Sequence, residues 1–436
     1  MTDARMEPLF AGAAPELFPG RCLNRRHAGA SCTRCVDGCP AQAIALDGVT
    51  PQLDERACVR CGLCTALCPT DSFVPAIDYE KTLCATVANL PTAPTALVCP
   101  VHPTPDATAA AVNAVVQHRR CLAALDVADL LELSASGTRP LWLDDSPCAA
   151  CPIGAAQATL VHTVEATRTL LHAAGSPPAI LLHSERPPAA DAKRHRVPLY
   201  DGAQPAISRR ALFTRLRPTR PDREEVGVID DLLQRGAPLS ARLPQQTPHS
   251  RQRLLAALHA LVITNPTGID AARSPFGAVQ VDDARCSGCS LCARFCPTGA
   301  LQFTQREEQF ALAFQPEACI RCSICVIACP EDAVELGAQV SLTALLTDER
   351  STLVTGELVP CAVCGVLTAR RREESTPRCH VCRQGAGVVT AQRDGAGLMA
   401  DLLRRAPSLR HEAGGITGDA DNDENNLPRS SELPGR

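Results

Sequence analysis

Apolar residues in this chain gather into short runs more than into long periodic faces. TALV at 95–98, LWL at 141–143 and AILL at 179–182 are continuous apolar or β-branched stretches bounded by Pro, Asp or Ser, as expected of strands covered on both faces. Between them, residues 106–117 and 122–134 suit helices, and the pattern from about 154 to 174 suits a longer one. Alternating strands and helices predict a small parallel sheet, which gathers functional groups beyond the C-terminal ends of its strands. Cys99, Cys148 and Cys151 fall at such ends, and Cys121 precedes a predicted helix. From 185 to 250 the pattern dissolves into Pro, Arg and polar residues, interrupted by the amphipathic ISRRALFTRL at 207–216. Its SRRALF resembles a twin-arginine export signal only superficially, because no apolar run follows; it reads as a helix start or a docking patch. Residues 228–263 predict one or two helices, and beyond 410 the polar, acidic tail predicts disorder. No stretch approaches the ~18 apolar residues of a membrane span.

Composition changes the picture through one residue type. The 436 residues suffice for two to four domains, yet they include 25 Cys beside one Trp, two Tyr and nine Phe. Aromatic side chains cannot be the main filling of the cores. A disulfide framework would need an oxidising compartment, and the first twenty residues hold no basic stretch followed by an apolar run. The expected location is therefore the cytoplasm, where reduced thiols can bind metal. A formal net charge of -4 gives no reason to expect nucleic acid as a partner.

The cysteines repeat a spacing. CSGCSLCARFCP at 286–297, CIRCSICVIACP at 319–330 and CVRCGLCTALCP at 58–69 each read C-x2-C-x2-C-x3-C-P. Three closely spaced thiolates can wrap three corners of a cuboidal cluster, while the fourth, on the helical turn that follows, points to a neighbouring one. The proline donates no amide and limits continuation of that turn. A similar tail follows each motif: CPAQAIAL, CPTDSF, CPTGALQF and CPEDAVEL, of which three continue into Ala and an apolar residue suited to a core strand. The pattern resembles the bacterial two-cluster [4Fe-4S] ferredoxins over roughly 276–340, and again over 22–78. That resemblance implies crossed ligand sets: Cys286, Cys289, Cys292 and Cys329 for one cluster, and Cys319, Cys322, Cys325 and Cys296 for the second. In the N-terminal copy it implies Cys58, Cys61, Cys64 and Cys39 for one, and Cys22, Cys32, Cys35 and Cys68 for the other. Structural zinc is the competing use of these cysteines.

The last set is irregular. Nine residues separate Cys22 from Cys32 where two are expected. Closing a loop of that length costs little entropy, so displacement need not abolish ligation. The alternative leaves Cys22 free and a three-cysteine site with an open iron corner or a [3Fe-4S] cluster. His27 within the insertion reads as solvated; Arg25 and Arg26 read either as a bias on the adjacent cluster or as an exposed basic loop.

In the middle segment, Cys99, Cys121, Cys148 and Cys151 are enough for one more metal centre. The stretch from Cys99 to about 184 weakly resembles the iron-sulfur delta subunit of methyl-viologen-reducing hydrogenases, which implies a further cluster, [2Fe-2S] being the expected type. Two other readings stay open. Cys148 and Cys151 form C-x2-C between a strand and a helix, as in redox dithiols whose thiol pKa a helix dipole lowers. All four are otherwise buried cysteines of an α/β core. Cys84 has no evident partner. Near the C-terminus, Cys361, Cys364, Cys379 and Cys382 form two C-x2-C pairs suited to tetrahedral Zn, or to a rubredoxin-like iron, with no open position for catalysis. His380 beside them reads as a bystander.

The expected architecture is α+β and multidomain: two ferredoxin-like dicluster modules (1–80 and 276–342) flank a small α/β domain (81–184). A Pro/Arg-rich linker with helices occupies 185–275, a zinc-ribbon-like knuckle 343–395, and a helix and disordered tail 396–436. With four [4Fe-4S] clusters, the resemblance implies an electron relay serving a partner oxidoreductase such as a hydrogenase or a molybdenum enzyme. No Gly-rich dinucleotide loop, P-loop lysine or nucleophile-base constellation stands out, so the expectation is an electron-transfer protein or subunit more than an enzyme. The alternatives are a redox enzyme acting on a thiol or disulfide through the middle cysteines, and an assembly protein with purely structural clusters.

Overall fold

Five short strands, buried at the centre and exposed at the Leu199–Asp201 edge, form the central sheet. In this computed structural model, which describes residues 8–108, 110–176, 179–186, 194–204, 243–264, 266–347, 350–371 and 374–384, they lie in the order Leu199–Asp201, Ala114–Gln117, Thr95–Val98, Leu141–Leu143, Ile180–Leu182. Every pairing is parallel. All four residues of the central strand Thr95–Val98 are buried, the near-continuous apolar pattern that a sheet covered on both faces demands. The helix Gln157–Ala173 presses Leu160, Val164, Leu170 and Leu171 into this core.

Two predicted helices differ. Residues 106–117 are not helical: Ala107–Thr108 pairs with His195–Arg196, and Ala114–Gln117 is a strand of the sheet. Alanines at 109–111 favour a helix locally, but Val115 and Val116 are fully buried between two strands, and that packing overrides propensity. The expected helix 122–134 splits into a 3-10 turn, Leu122–Ala124, and the helix Val127–Leu133. Asp126 sets the break, because its carboxylate accepts from the Asp129 amide while Asp129 accepts from the Asp126 amide.

The terminal modules share one plan. Each pairs its two ends antiparallel, Glu16–Leu17 with Phe73–Val74 and Ala278–Val281 with Val334–Gly337. Each also has a hairpin after its first Cys-Pro, Ile44–Asp47 with Thr50–Leu53 and Leu301–Arg306 with Gln309–Phe314. All four Cys-Pro tails therefore run into strands. The second hairpin is extended by Ser351–Pro360 and Leu367–Ala369 into a four-stranded antiparallel sheet, so pairing continues from the second module into the knuckle. The helix His249–His259 lies against Val127–Leu133, where Arg253 pairs with Asp129 and Glu132. ISRRALFTRL and the C-terminal tail lie outside the described residues. Among the described residues, no helix is long and apolar enough to cross a membrane.

Leu97 is fully buried in the central strand, whereas Leu199 on the edge strand is 41% exposed. Leu97→Ala is expected to destabilise by about 2–5 kcal/mol and Leu199→Ala by much less. Thermal unfolding followed by circular dichroism measures the difference; equal midpoints would contradict this core.

Candidate metal centres

Backbone conformation marks the cysteine loops before their sulfurs are considered. Left-handed residues flank the second cysteine of every unbroken motif: Arg60 and Gly62, Gly288 and Ser290, Arg321 and Ser323. A further one follows three residues after every fourth cysteine, at Gln42, Asp71, Gly299 and Asp332. Eight of the eleven left-handed non-glycine residues among the described residues belong to these motifs. Each costs on the order of 1–2 kcal/mol, so the fold around these loops must hold them in place. After the fourth cysteine the turn also aims an amide at sulfur: Ala43, Ser72 and Ala333 donate to Sγ of Cys39, Cys68 and Cys329 at 3.2, 3.2 and 3.3 Å.

The irregular motif keeps half of this device. Ser31 is left-handed before Cys32, but Thr33 after it is not (φ -117°). Cys22 returns by another route. It precedes the short helix Leu23–Arg26, in which buried Asn24 accepts from the Cys32 amide at 2.6 Å and donates to the Cys32 carbonyl at 2.9 Å. This two-bond clamp shortens a ten-residue step to a contact. The Cys22 thiol pKa is accordingly pushed up, first by burial and then by the Cys68 and Cys32 thiols. Burial, followed by Cys68, Cys22 and Cys32, pushes Cys35 up to about 11.

The other sulfurs converge in the crossed manner. Cys39, Cys58, Cys61 and Cys64 line one cavity; Cys286, Cys289, Cys292 and Cys329 another; Cys296, Cys319, Cys322 and Cys325 a third. Burial is the leading cause that raises the thiol pKa of Cys61 to about 11, Cys286 to about 11 and Cys322 to about 12. Thiols so desolvated need a cation before they ionise.

The middle cysteines also meet. Cys99, Cys121, Cys148 and Cys151 line one cavity. The strand Ala114–Gln117 explains how: Cys121 too stands beyond the C-terminal end of a parallel strand, beside Cys99 and the 3-10 turn Ser146–Ala150 that carries Cys148. The lowered thiol pKa expected of a dithiol is not found. Burial first, then Cys99, Asp145, Cys151 and Asp144, push Cys148 up to about 12, since the segment before Gln157 is 3-10 turn and the nearest charges are negative. Cys84 is half-buried beside Asp129, Glu132 and Arg253.

The knuckle is built to a different scale. The sulfurs of Cys361, Cys364, Cys379 and Cys382 all lie within 4.8 Å of one another, and this is the only set that tight among the described residues. A single tetrahedral ion with bonds of about 2.3 Å places its sulfurs roughly 3.8 Å apart, so this set fits one ion. The other five sets are spaced more widely than this. Backbone amides of Cys379, Cys364 and Val363 outweigh burial and bring Cys361 down to about 6, poised for a cation. Arg371 and Arg383 tie the knuckle to Glu331, which borders the Cys286 cavity.

With this geometry in hand, a family model described as the 4Fe-4S dicluster domain matches residues 30–72 and 285–333. Two regions of the chain are ferredoxin-like dicluster regions. They bind iron-sulfur cofactors, and regions of this kind typify electron-transfer proteins more than catalytic enzymes. Cys22 precedes the first match, and the middle segment and the knuckle lie outside both. No curated protein and no solved structure matches the chain, so nothing supports the likeness of the middle segment to a hydrogenase delta subunit. Sequence reasoning missed Asn24, which carries no motif, and assigned Arg26 to its own loop, whereas its partners lie far along the chain.

The clamp makes Cys22 testable. Cys22→Ser in anaerobically prepared protein is expected to convert one cluster to a three-iron form with its own EPR signal in the oxidised state, and Asn24→Ala to increase that signal. An unchanged spectrum in Cys22→Ser rejects Cys22 as a ligand.

Proposed function

We propose that the chain is a polyferredoxin-type electron relay that carries four [4Fe-4S] clusters on its two dicluster modules and serves a partner oxidoreductase in the cytoplasm. The observation that carries this reading is the grouping of sixteen cysteines into four crossed sets, each turned inward by left-handed loop residues. When bound, the clusters supply one-electron carriers. The chain excludes water from them, donates amides to their sulfur ligands and sets local charge, the three levers that tune such centres. Arg60, for example, lines the Cys58 cavity, while the Glu331 that lines the Cys286 cavity is paired with Arg371 and Arg383, so the two centres meet different local charge.

Cys99, Cys121, Cys148 and Cys151 hold a fifth centre in this reading, with [2Fe-2S] as the type implied by the delta-subunit likeness, and the knuckle holds one structural zinc. A hydrogenase or a molybdenum enzyme is the expected partner. The thiol-disulfide enzyme is the second reading; it requires a reactive thiolate at Cys148, which the carboxylates of Asp144 and Asp145 oppose.

Dithionite is expected to reduce the anaerobic protein, and the reduced protein to pass its electrons stoichiometrically to an acceptor such as cytochrome c. Failure of either step points to structural clusters and contradicts the relay. Cys148→Ser is expected to retain the cubane absorption and this electron transfer. Loss of turnover with a disulfide substrate in that variant, the cubanes being intact, would favour the enzyme.

A further inference from the structure

The nine residues between Cys22 and Cys32 face the other dicluster module. Arg26 Nε donates to the Phe295 carbonyl at 2.8 Å, Nη1 to Pro244 at 2.7 Å and Nη2 to Cys296 at 3.1 Å. The His27 ring stands edge-on to Phe295, with centroids 4.9 Å apart. Leu23 is buried with Ile320, Ile324 and Ala328, and Cys32 and Cys322 border this apolar patch from opposite modules. Gly29 lies so close to the Ile327 side chain that an added Cβ would stand 3.0 Å from its Cγ2. A solvated basic loop has none of these features. A planar guanidinium that satisfies three carbonyls at once is a geometry that lysine cannot reproduce.

We propose that this insertion is a joint between the modules, in which Arg26 is the positioning residue that seats the Cys22 set beside the Cys296 set. The displacement of Cys22 then has a cause: a two-residue spacing would leave no chain to reach Phe295. The inference rests on the relay reading for its purpose and on packing alone for its geometry. With the joint closed, the five wide cysteine sets fall into one row. The middle set adjoins the Cys39 set through Cys121 and Cys61, and the Cys39 set adjoins the Cys22 set through Cys64 and Cys35. The joint leads to the Cys296 set, which meets the Cys286 set through Cys325 and Cys292. Removing the joint would divide this row into three sets and two. Arg26 also carries its charge to the sulfurs of Cys296 and Cys322, which favour the cation against the opposing effect of burial.

Phenylglyoxal labelling of the anaerobic holoprotein, read by mass spectrometry, tests the joint without altering the chain. Arg26 is expected to react at least about fivefold more slowly than exposed Arg34, because its guanidinium is shielded by the second module. Equal rates overturn the joint. In Arg26→Ala, the iron content and oxidised absorption are expected to match the parent, while magnetic broadening between modules is lost from the EPR spectrum of the fully reduced protein. A reduced spectrum identical to that of the parent, in a variant with full iron content, also overturns it. Iron content separates the two claims: an iron-free chain that still protects Arg26 keeps the joint and ends the relay.

Discussion

Desolvation of sulfur governs this structure. Buried thiols that face other thiols do not ionise readily: burial first, then neighbouring sulfur, raises the pKa of Cys35, Cys121 and Cys322. A bound inorganic cation core would reverse that penalty. The strained left-handed turns, the amides aimed at Cys39, Cys68 and Cys329 and the Asn24 clamp all hold sulfurs toward a shared centre. With little aromatic volume available, the dicluster modules are organised around those centres, while the middle domain relies on an aliphatic parallel sheet.

Two length scales separate the sites chemically. The knuckle brings four sulfurs close enough for one ion, leaving no open position, and couples to the second module through a shared sheet and through Glu331. The other sets line cavities of their own and are spaced more widely than the knuckle sulfurs. The middle set belongs with the wide ones in size, although its residues come from three separate strand ends instead of a compact motif. It uses the edge of a parallel sheet where functional groups ordinarily collect.

Much of this was legible in the sequence because cysteine spacing encodes local loop geometry. The three unbroken motifs predicted both dicluster regions, three of the four Cys-Pro tails predicted the strands that follow them (CPTDSF, which runs into Phe73–Val74, did not), and LWL and AILL predicted two strands of the sheet. Alanine-rich 106–117 misled, because strand burial of Val115 and Val116 is a tertiary effect, and that error hid the position of Cys121 at a strand end. Gly62, Gly288 and Gly299 advertise their left-handed turns; Arg60, Gln42 and Asp332 do not. Arg26 was illegible for a simpler reason: Phe295 and Cys296 stand about 270 residues away, and no local pattern announces such a contact.

The central claim is that these sulfurs enclose inorganic iron-sulfur cores. Iron, acid-labile sulfide and zinc per chain, determined on anaerobically purified full-length protein, test it most directly. The account predicts brown protein with about 16 iron atoms on the two modules, about 18 with a middle [2Fe-2S] centre, matching sulfide, and one zinc. Colourless protein devoid of acid-labile sulfide would contradict it.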